Sequence, residues 1–313
     1  MLIPRENLKL FGHQEQREAL INAFHSKRFP HGWIVAGPFG IGKATFAFHM
    51  ARYILSGRQD GNTNFAENEP FHRQIVAQSH SDVWTLGDED TREIGVESIR
   101  ELNGHLNQTS TTGGWRIVII DGADKLNRSA ANALLKRLEE PPPRTVFFLI
   151  TSVPGRLLPT IRSRCQFLTL NPLKEEDCQD VLRSQGLSLP EFLTLAQGSP
   201  GHLIRLMEGK GAQIYEDLQR VLEGGKPASF IHAHGGEETS YALIEDLLRN
   251  FLHTQLLART EATSSVFKDI SLDQALIVCQ KINELFDQCR FSQLDKKTTL
   301  TCAFATLGNK LLQ

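Results

Sequence analysis

An α/β domain followed by two all-helical regions is the fold class this sequence predicts, with divisions at residues 1–170, 171–209 and 210–313. Three observations predict it. Continuous apolar runs, the mark of strands buried on both faces, stand at Trp115–Ile120 (WRIVII) and Thr145–Ile150 (TVFFLI), with a shorter one at Gly32–Ala36. Segments of helical apolar spacing separate them, and strands alternating with helices imply a parallel sheet with right-handed crossovers. From about residue 172 onward such runs cease and only helical patterns follow.

In chain order, residues 12–25 (GHQEQREALINAFH) carry apolar residues at helical spacing, and Pro30 marks a break. The run Gly32–Ala36 leads into a Gly-rich turn at Gly37–Gly42 and a helix from Lys43 to about Leu55. Residues 57–70 are polar and rich in Gly and Asn, which predicts a surface loop. Val83–Leu86 reads as a strand and Val96–Leu106 as a helix. A helix over Asn127–Glu140 is stopped by Pro141, Pro142 and Pro143. Residues 174–208 predict short helices and 211–313 longer ones, among them Tyr241–Leu257 and Leu272–Phe286. The Gly-rich stretch 221–236 reads as a loop inside the last region.

Composition narrows the function classes. The 313 residues suffice for two or three domains at roughly 100–200 residues each. Apolar content of 40% and a net charge of −2 exclude a disordered chain. Lys+Arg at 34 against Asp+Glu at 36 argues against coating nucleic acid through bulk charge. Cys165, Cys178, Cys279, Cys289 and Cys302 are odd in number, widely spread and free of CxxC spacing, as reduced thiols of a cytoplasmic protein would be. The N-terminal stretch lacks a signal-peptide core, and no apolar stretch reaches the roughly 18 residues of a membrane span.

GPFGIGKAT (Gly37–Thr45) carries the chemistry most visible in the sequence. A phosphate-binding loop needs glycines so that backbone N–H groups converge on anionic oxygens, a lysine for the outer phosphates, and a hydroxyl directly after it for Mg²⁺. Gly37, Gly40, Gly42 and Lys43 supply the loop and the lysine, but Ala44 stands where the hydroxyl belongs and Thr45 comes one residue late. The second nucleotide signal is an apolar strand ending in Asp with Glu beside it, to hold the metal and orient the attacking water. IVIIDGADKL gives Asp121, with Gly122 in place of the Glu and Asp124 two residues further on. Asp121 and Asp124 serve equally well as turn and capping residues ahead of Asn127. With two groups missing, hydrolysis at this chain's own site is not expected.

NRSAANALLKRLEEPPPRTVFFLITSVPGRLLPTIRSRCQ (residues 127–166) closely resembles the block shared by bacterial clamp-loader subunits of the AAA+ class. HGWIVAGPFGIGKAT, HSDVWTL and GWRIVIIDGADKLN fall upstream in that family's order, and GSPGHLIRL (Gly198–Leu206) ends a resemblance covering the first 208 residues. Within the family the pattern is most similar to the delta-prime type of the DNA polymerase III clamp loader. ATP-hydrolysing gamma/tau chains would keep Thr after the lysine and Glu after the Asp. The four-cysteine zinc module of many relatives is absent, since residues 55–82 contain no Cys. His72 and His80 alone do not make a zinc site and read as surface histidines.

The resemblance implies an AAA+ P-loop sheet domain (1–170), a helical lid (171–209) and a C-terminal helical collar (210–313). It implies a five-subunit ring with gamma/tau and delta that loads the sliding clamp on primed DNA, this chain being the stator. Arg164 of Ser163-Arg164-Cys165 takes the role of an arginine finger acting in trans on the neighbour's ATP. ATP or ADP is implied as a weakly bound ligand of Gly37–Thr45 without turnover, with no zinc and no metal site. Thr151 stands where the family senses the γ-phosphate, a place a capping Thr also fills. Gly201-His202 replaces the lid's sensing arginine, with Arg205 a turn later. Val96–Leu106 and the loop Thr109–Gly114, with only Arg100 and Arg116 nearby as cations, read as plain surface before they read as a DNA contact. Cys165 reads as a packed thiol. The chain is not expected to be catalytic alone, and a DNA-directed DNA polymerase or nucleotidyltransferase label belongs to the holoenzyme. Two other readings stand beside this one: an active ATPase of the same superfamily, using Thr45 and Asp124, and a simple DNA-binding module.

Overall fold

The computed structural model describes residues 3–311 apart from 27, 89–90, 109, 111–112, 188–197, 208–209, 261–266, 268–269 and 293–294. Five strands, β1 (Gly32–Ala36), β2 (Val83–Leu86), β3 (Arg116–Asp121), β4 (Thr145–Thr151) and β5 (Gln166–Thr169), pair in parallel in the order β2-β3-β4-β1-β5. The central strands β1 and β4 are buried along their whole length, as their unbroken apolar runs require. Alternate residues feed two cores. Val35, Ile117, Ile119 and Phe148 face one side, with Phe46, Met50 and Tyr53 of α2 (Lys43–Ser56) and Leu20 of α1 (Gln14–His25). Ile34, Val118, Phe147 and Leu149 face the other, with Ile99 and Leu102 of α4 (Val96–Leu106) and Leu134 of α5 (Arg128–Glu139). Helices on both faces of a parallel sheet direct the carboxyl ends of the strands, and the loops after them, to one edge.

The local signals account for the element ends. Asn127 caps α5, its Oδ1 accepting from Ala130 N at 2.9 Å. Two short elements escape the sequence patterns: α3 (Pro70–Val76) and the edge strand β5, in which Leu168 alone is buried. His72 is a correction. It is 7% exposed rather than on the surface, and its Nδ1 accepts from Arg52 Nε at 3.2 Å. Arg52 is itself fully buried and donates to the backbone oxygens of Asn7, at 3.1 Å, and Arg5. The side chain thereby fastens the N-terminal segment to α2 and α3.

Short helices α6 (Pro159–Arg162) and α7 (Glu175–Ser184) follow β4 and β5, and α8 (Pro200–Met207) begins after the undescribed 188–197. The chain divides into two compact units, Met1–His202 and Leu203–Gln313. The second holds α9 (Gly211–Leu222), α10 (Pro227–His234), α11 (Glu238–Thr260), α12 (Leu272–Ser292) and α13 (Lys296–Leu311). Its core includes Leu218, Phe230, Ile244, Leu248, Ile282, Phe286 and Phe304. Arg249 ties α11 to α12, donating to Glu245 Oε1, Asn283 Oδ1 and Asp287 Oδ1 at 2.6–3.0 Å. The expected loop at 221–236 contains α10, because Pro227 starts a helix whose Phe230 and Ile231 are buried. Among the described residues no helix is long and apolar enough to cross a membrane.

Candidate functional site

The loop Gly37–Gly42 leaves the end of β1 and feeds α2, with Gly37 N donating to Thr151 O of the adjacent β4 at 3.3 Å. Lys43 opens the helix and is 8% exposed. Its ammonium donates to Gly37 O at 2.9 Å, Pro38 O at 2.6 Å and Ser152 Oγ at 2.9 Å. An ammonium has three N–H donors, so the loop's own carbonyls and Ser152 take all of them. Ala44 is partly buried and packed against the core beneath α2, and Thr45 is half-buried. The first turn of α8 lies directly on the loop. Gly201 N donates to Gly40 O at 2.9 Å, and a Cβ added at Gly201 would sit 2.6 Å from Gly40 Cα. Gly40 has φ +76, so both glycines are needed, one for its backbone and both for the approach. His202 meets Phe39 edge-on, ring centroids 5.2 Å apart. Arg205 donates to Asp246 at 3.5 Å in the second unit.

The acidic half of the site is arranged for local structure. Asp121 ends β3 opposite Ile150 of β4. Thr151 is 1% exposed; its Oγ1 donates to Asp124 Oδ1 at 2.7 Å and accepts from Val153 N at 3.0 Å. Asp124 is therefore held beside Thr151 by a hydrogen bond of its own. Gly122 has φ +80, and a Cβ there would meet Lys125 Cδ at 2.9 Å. The position that would carry the water-orienting Glu is thus shaped for glycine. Gly122→Glu is expected to lower stability by about 1–2 kcal/mol, the cost of a left-handed non-glycine residue, and to confer no phosphate release from ATP. Thermal melts with a phosphate-release assay check this, and a gain in turnover would contradict it. The residues present keep the shape of a phosphate cradle. They do not fit a metal–nucleotide complex poised for hydrolysis, since the hydroxyl and the Glu are missing and the lysine is engaged. Among the described residues no group of His, Cys, Asp or Glu is arranged to hold a metal ion.

Arg164 stands at the exit of α6, its side chain 35% exposed. Nη1 donates to Thr160 O at 2.9 Å and Ser163 Oγ at 3.3 Å, and Nη2 meets Glu139 Oε1, at the end of α5, at 2.7 Å. Glu139 carried no functional signal in the sequence beyond its place in the EEPPP run. Cys165 turns inward: a Cβ on Gly32 would lie 2.7 Å from its Sγ, and burial pushes its thiol up to about 12. That is a packed thiol rather than a nucleophile. The two arginines named for DNA are engaged locally. Arg116 donates to Leu106 O at 2.9 Å and Gln108 O at 2.8 Å, and Arg100 pairs with Glu97. Positions 109, 111 and 112 of that loop lie outside the described residues.

Comparison with known proteins adds the family. A chain described as DNA polymerase III subunit delta' of Escherichia coli K12 is 34% identical over 217 residues, covering 67% of this chain and 64% of the relative. The subunit delta' of Pseudomonas aeruginosa is 33% identical over 236 residues, 75% of this chain and 65% of the relative. Each match thus spans just under two thirds of the relative's length. Among solved structures, a DNA polymerase III gamma-subunit-related protein of Thermotoga maritima superposes with a TM-score of 0.49 at 19% identity, over 95% of this chain and 99% of that one. The family described as DNA polymerase III, delta subunit matches residues 12–174, just over half of the sequence and the whole of the sheet with its loops, and the chain belongs to that family.

Proposed function

We propose that this chain is a delta-prime-type subunit of a cytoplasmic DNA polymerase III clamp loader, a stator that supplies Arg164 to the ATP site of a neighbouring gamma/tau subunit. Residues 1–170 then form the AAA+ sheet domain, 171–209 the lid and 210–313 the collar that joins gamma/tau and delta subunits in a ring of five. Through the ring the chain contributes to opening the sliding clamp and placing it on primed DNA. The observation that carries this reading is the contrast between two cations. The lysine of the phosphate loop has every donor engaged by the chain's own oxygens, whereas the arginine after α6 stands at the surface on a backbone anchor. A γ-phosphate in the transition state gains most from a planar, permanently charged donor brought to it by another subunit. ATP or ADP, where it binds Gly37–Thr45, binds weakly, because Lys43 must first release its present partners and Ala44 offers a metal no oxygen.

The test is a loader reconstituted with gamma/tau and delta subunits, followed by ATP hydrolysis stimulated by clamp and primed DNA. Lys43→Ala is expected to leave turnover within about two-fold of wild type, since a loop without its metal hydroxyl and Glu contributes no hydrolysis of its own. Loss of a full site's share of turnover in Lys43→Ala would mean a working ATPase and overturn the reading.

A further inference from the structure

The end of α5 holds a carboxylate that helix physics does not explain. The negative end of the helix dipole favours cations in the last turn, and Lys136 and Arg137 meet that preference. Glu139 stands against it as the last helical residue. Its place is fixed by the sequence that follows: Pro141 excludes helical backbone from the residue before it, and Glu140 leaves the helix at φ −125, ψ 71. The helix therefore stops with the Glu139 carboxylate beside the exit of α6, where Oε1 meets Arg164 Nη2 at 2.7 Å. Both side chains are substantially exposed, so the pair adds little to folding.

The same pair matters for orientation. A guanidinium has five N–H donors in one plane. In Arg164 Nη1 donates to Thr160 O and Ser163 Oγ, and Nη2 is ion-paired with Glu139 Oε1 at 2.7 Å, which holds the plane from two sides. A long side chain held only by its stem samples many rotamers, and that freedom must be lost before a bidentate contact with phosphate forms. We propose that Glu139 is a positioning residue for the arginine finger, holding the Arg164 guanidinium in the orientation in which its remaining donors meet the γ-phosphate of the neighbouring subunit. This rests on the finger reading of Arg164.

The test uses the reconstituted loader with gamma/tau, delta, clamp and primed DNA, comparing Glu139→Ala, Glu139→Gln, Arg164→Ala and the Glu139→Ala/Arg164→Ala double variant. Glu139→Ala is expected to lower kcat at the served site by about 3–10-fold with KM for ATP unchanged, the scale of a misplaced but present catalytic group. Glu139→Gln, which keeps an oxygen acceptor, recovers most of that loss. The double variant is no slower than Arg164→Ala, because Glu139 acts only through the arginine, and the thermal midpoint of the free chain stays where it was. An unchanged or raised kcat in Glu139→Ala, a change confined to KM, or equal losses in both single Glu139 variants with a lowered midpoint would overturn the proposal while leaving the finger in place. Unchanged turnover in Arg164→Ala would overturn both.

Discussion

Replacing Arg164 with alanine is expected to slow ATP hydrolysis at one site of the assembled loader by roughly 10³-fold or more, the scale on which trans-acting arginines work. The reason is where the side chain stands. It is part-exposed and bonded to Thr160 O, Ser163 Oγ and a half-exposed carboxylate, so its removal breaks only surface contacts. The free chain should fold and melt as before. The expected signature is thus a loss of at least one site's share of clamp- and DNA-stimulated turnover, with intact assembly of the ring. Arg164→Lys separates charge from geometry: a lysine keeps the charge but loses the planar pair of donors, and recovers only part of the rate. Wild-type turnover in the Arg164→Ala assembly would show that the neighbour's γ-phosphate is stabilised by something else.

Much of the sheet was legible because its strands are buried on both faces. WRIVII and TVFFLI cannot alternate polar and apolar residues when helices cover each side, and both fall within a residue of β3 and β4. β5 was not legible for the opposite reason, since an edge strand with one buried residue leaves no pattern. α10 was hidden by the glycines around it, and α3 by its brevity. At the loop, the sequence carried which groups are present and which are missing, because motif chemistry is written in residue types at fixed spacing. It did not carry what those groups touch. The Ser152 oxygen on Lys43, the Gly40–Gly201 approach, the Thr151–Asp124 bond and the Glu139 brace all join residues distant in sequence, and only the fold brings them together. The buried Arg52–His72 pair shows the same limit: a histidine followed by Arg73 and Gln74 looks exposed until a cation from another helix is found against it.

That cluster makes the chain sensitive to acid, and the effect is large. His49 of α2 is 2% exposed, and burial, with repulsion from Arg52 and Arg17, lowers its pKa from 6.5 to about 3. The native state therefore keeps it neutral at a pH where the unfolded chain takes up a proton. Stability from this group is complete above pH 6.5 and declines as pH falls below that value toward 3. At about 1.36 kcal/mol per pH unit, the drop from pH 6.5 to 5.0 costs roughly 2 kcal/mol from His49 alone. His72 and His13 are shifted in the same direction by burial, and His72 must stay neutral at Nδ1 to accept from Arg52, so they steepen the decline. Urea unfolding at pH 7.5 and 5.0 should show a midpoint much lower in acid. His49→Leu should lessen that difference, because a residue that takes up no proton on unfolding cannot contribute to it. An equally steep pH dependence in the variant would place the acid sensitivity elsewhere in the fold. A flat profile in the wild type would mean that His49 is not held neutral at all.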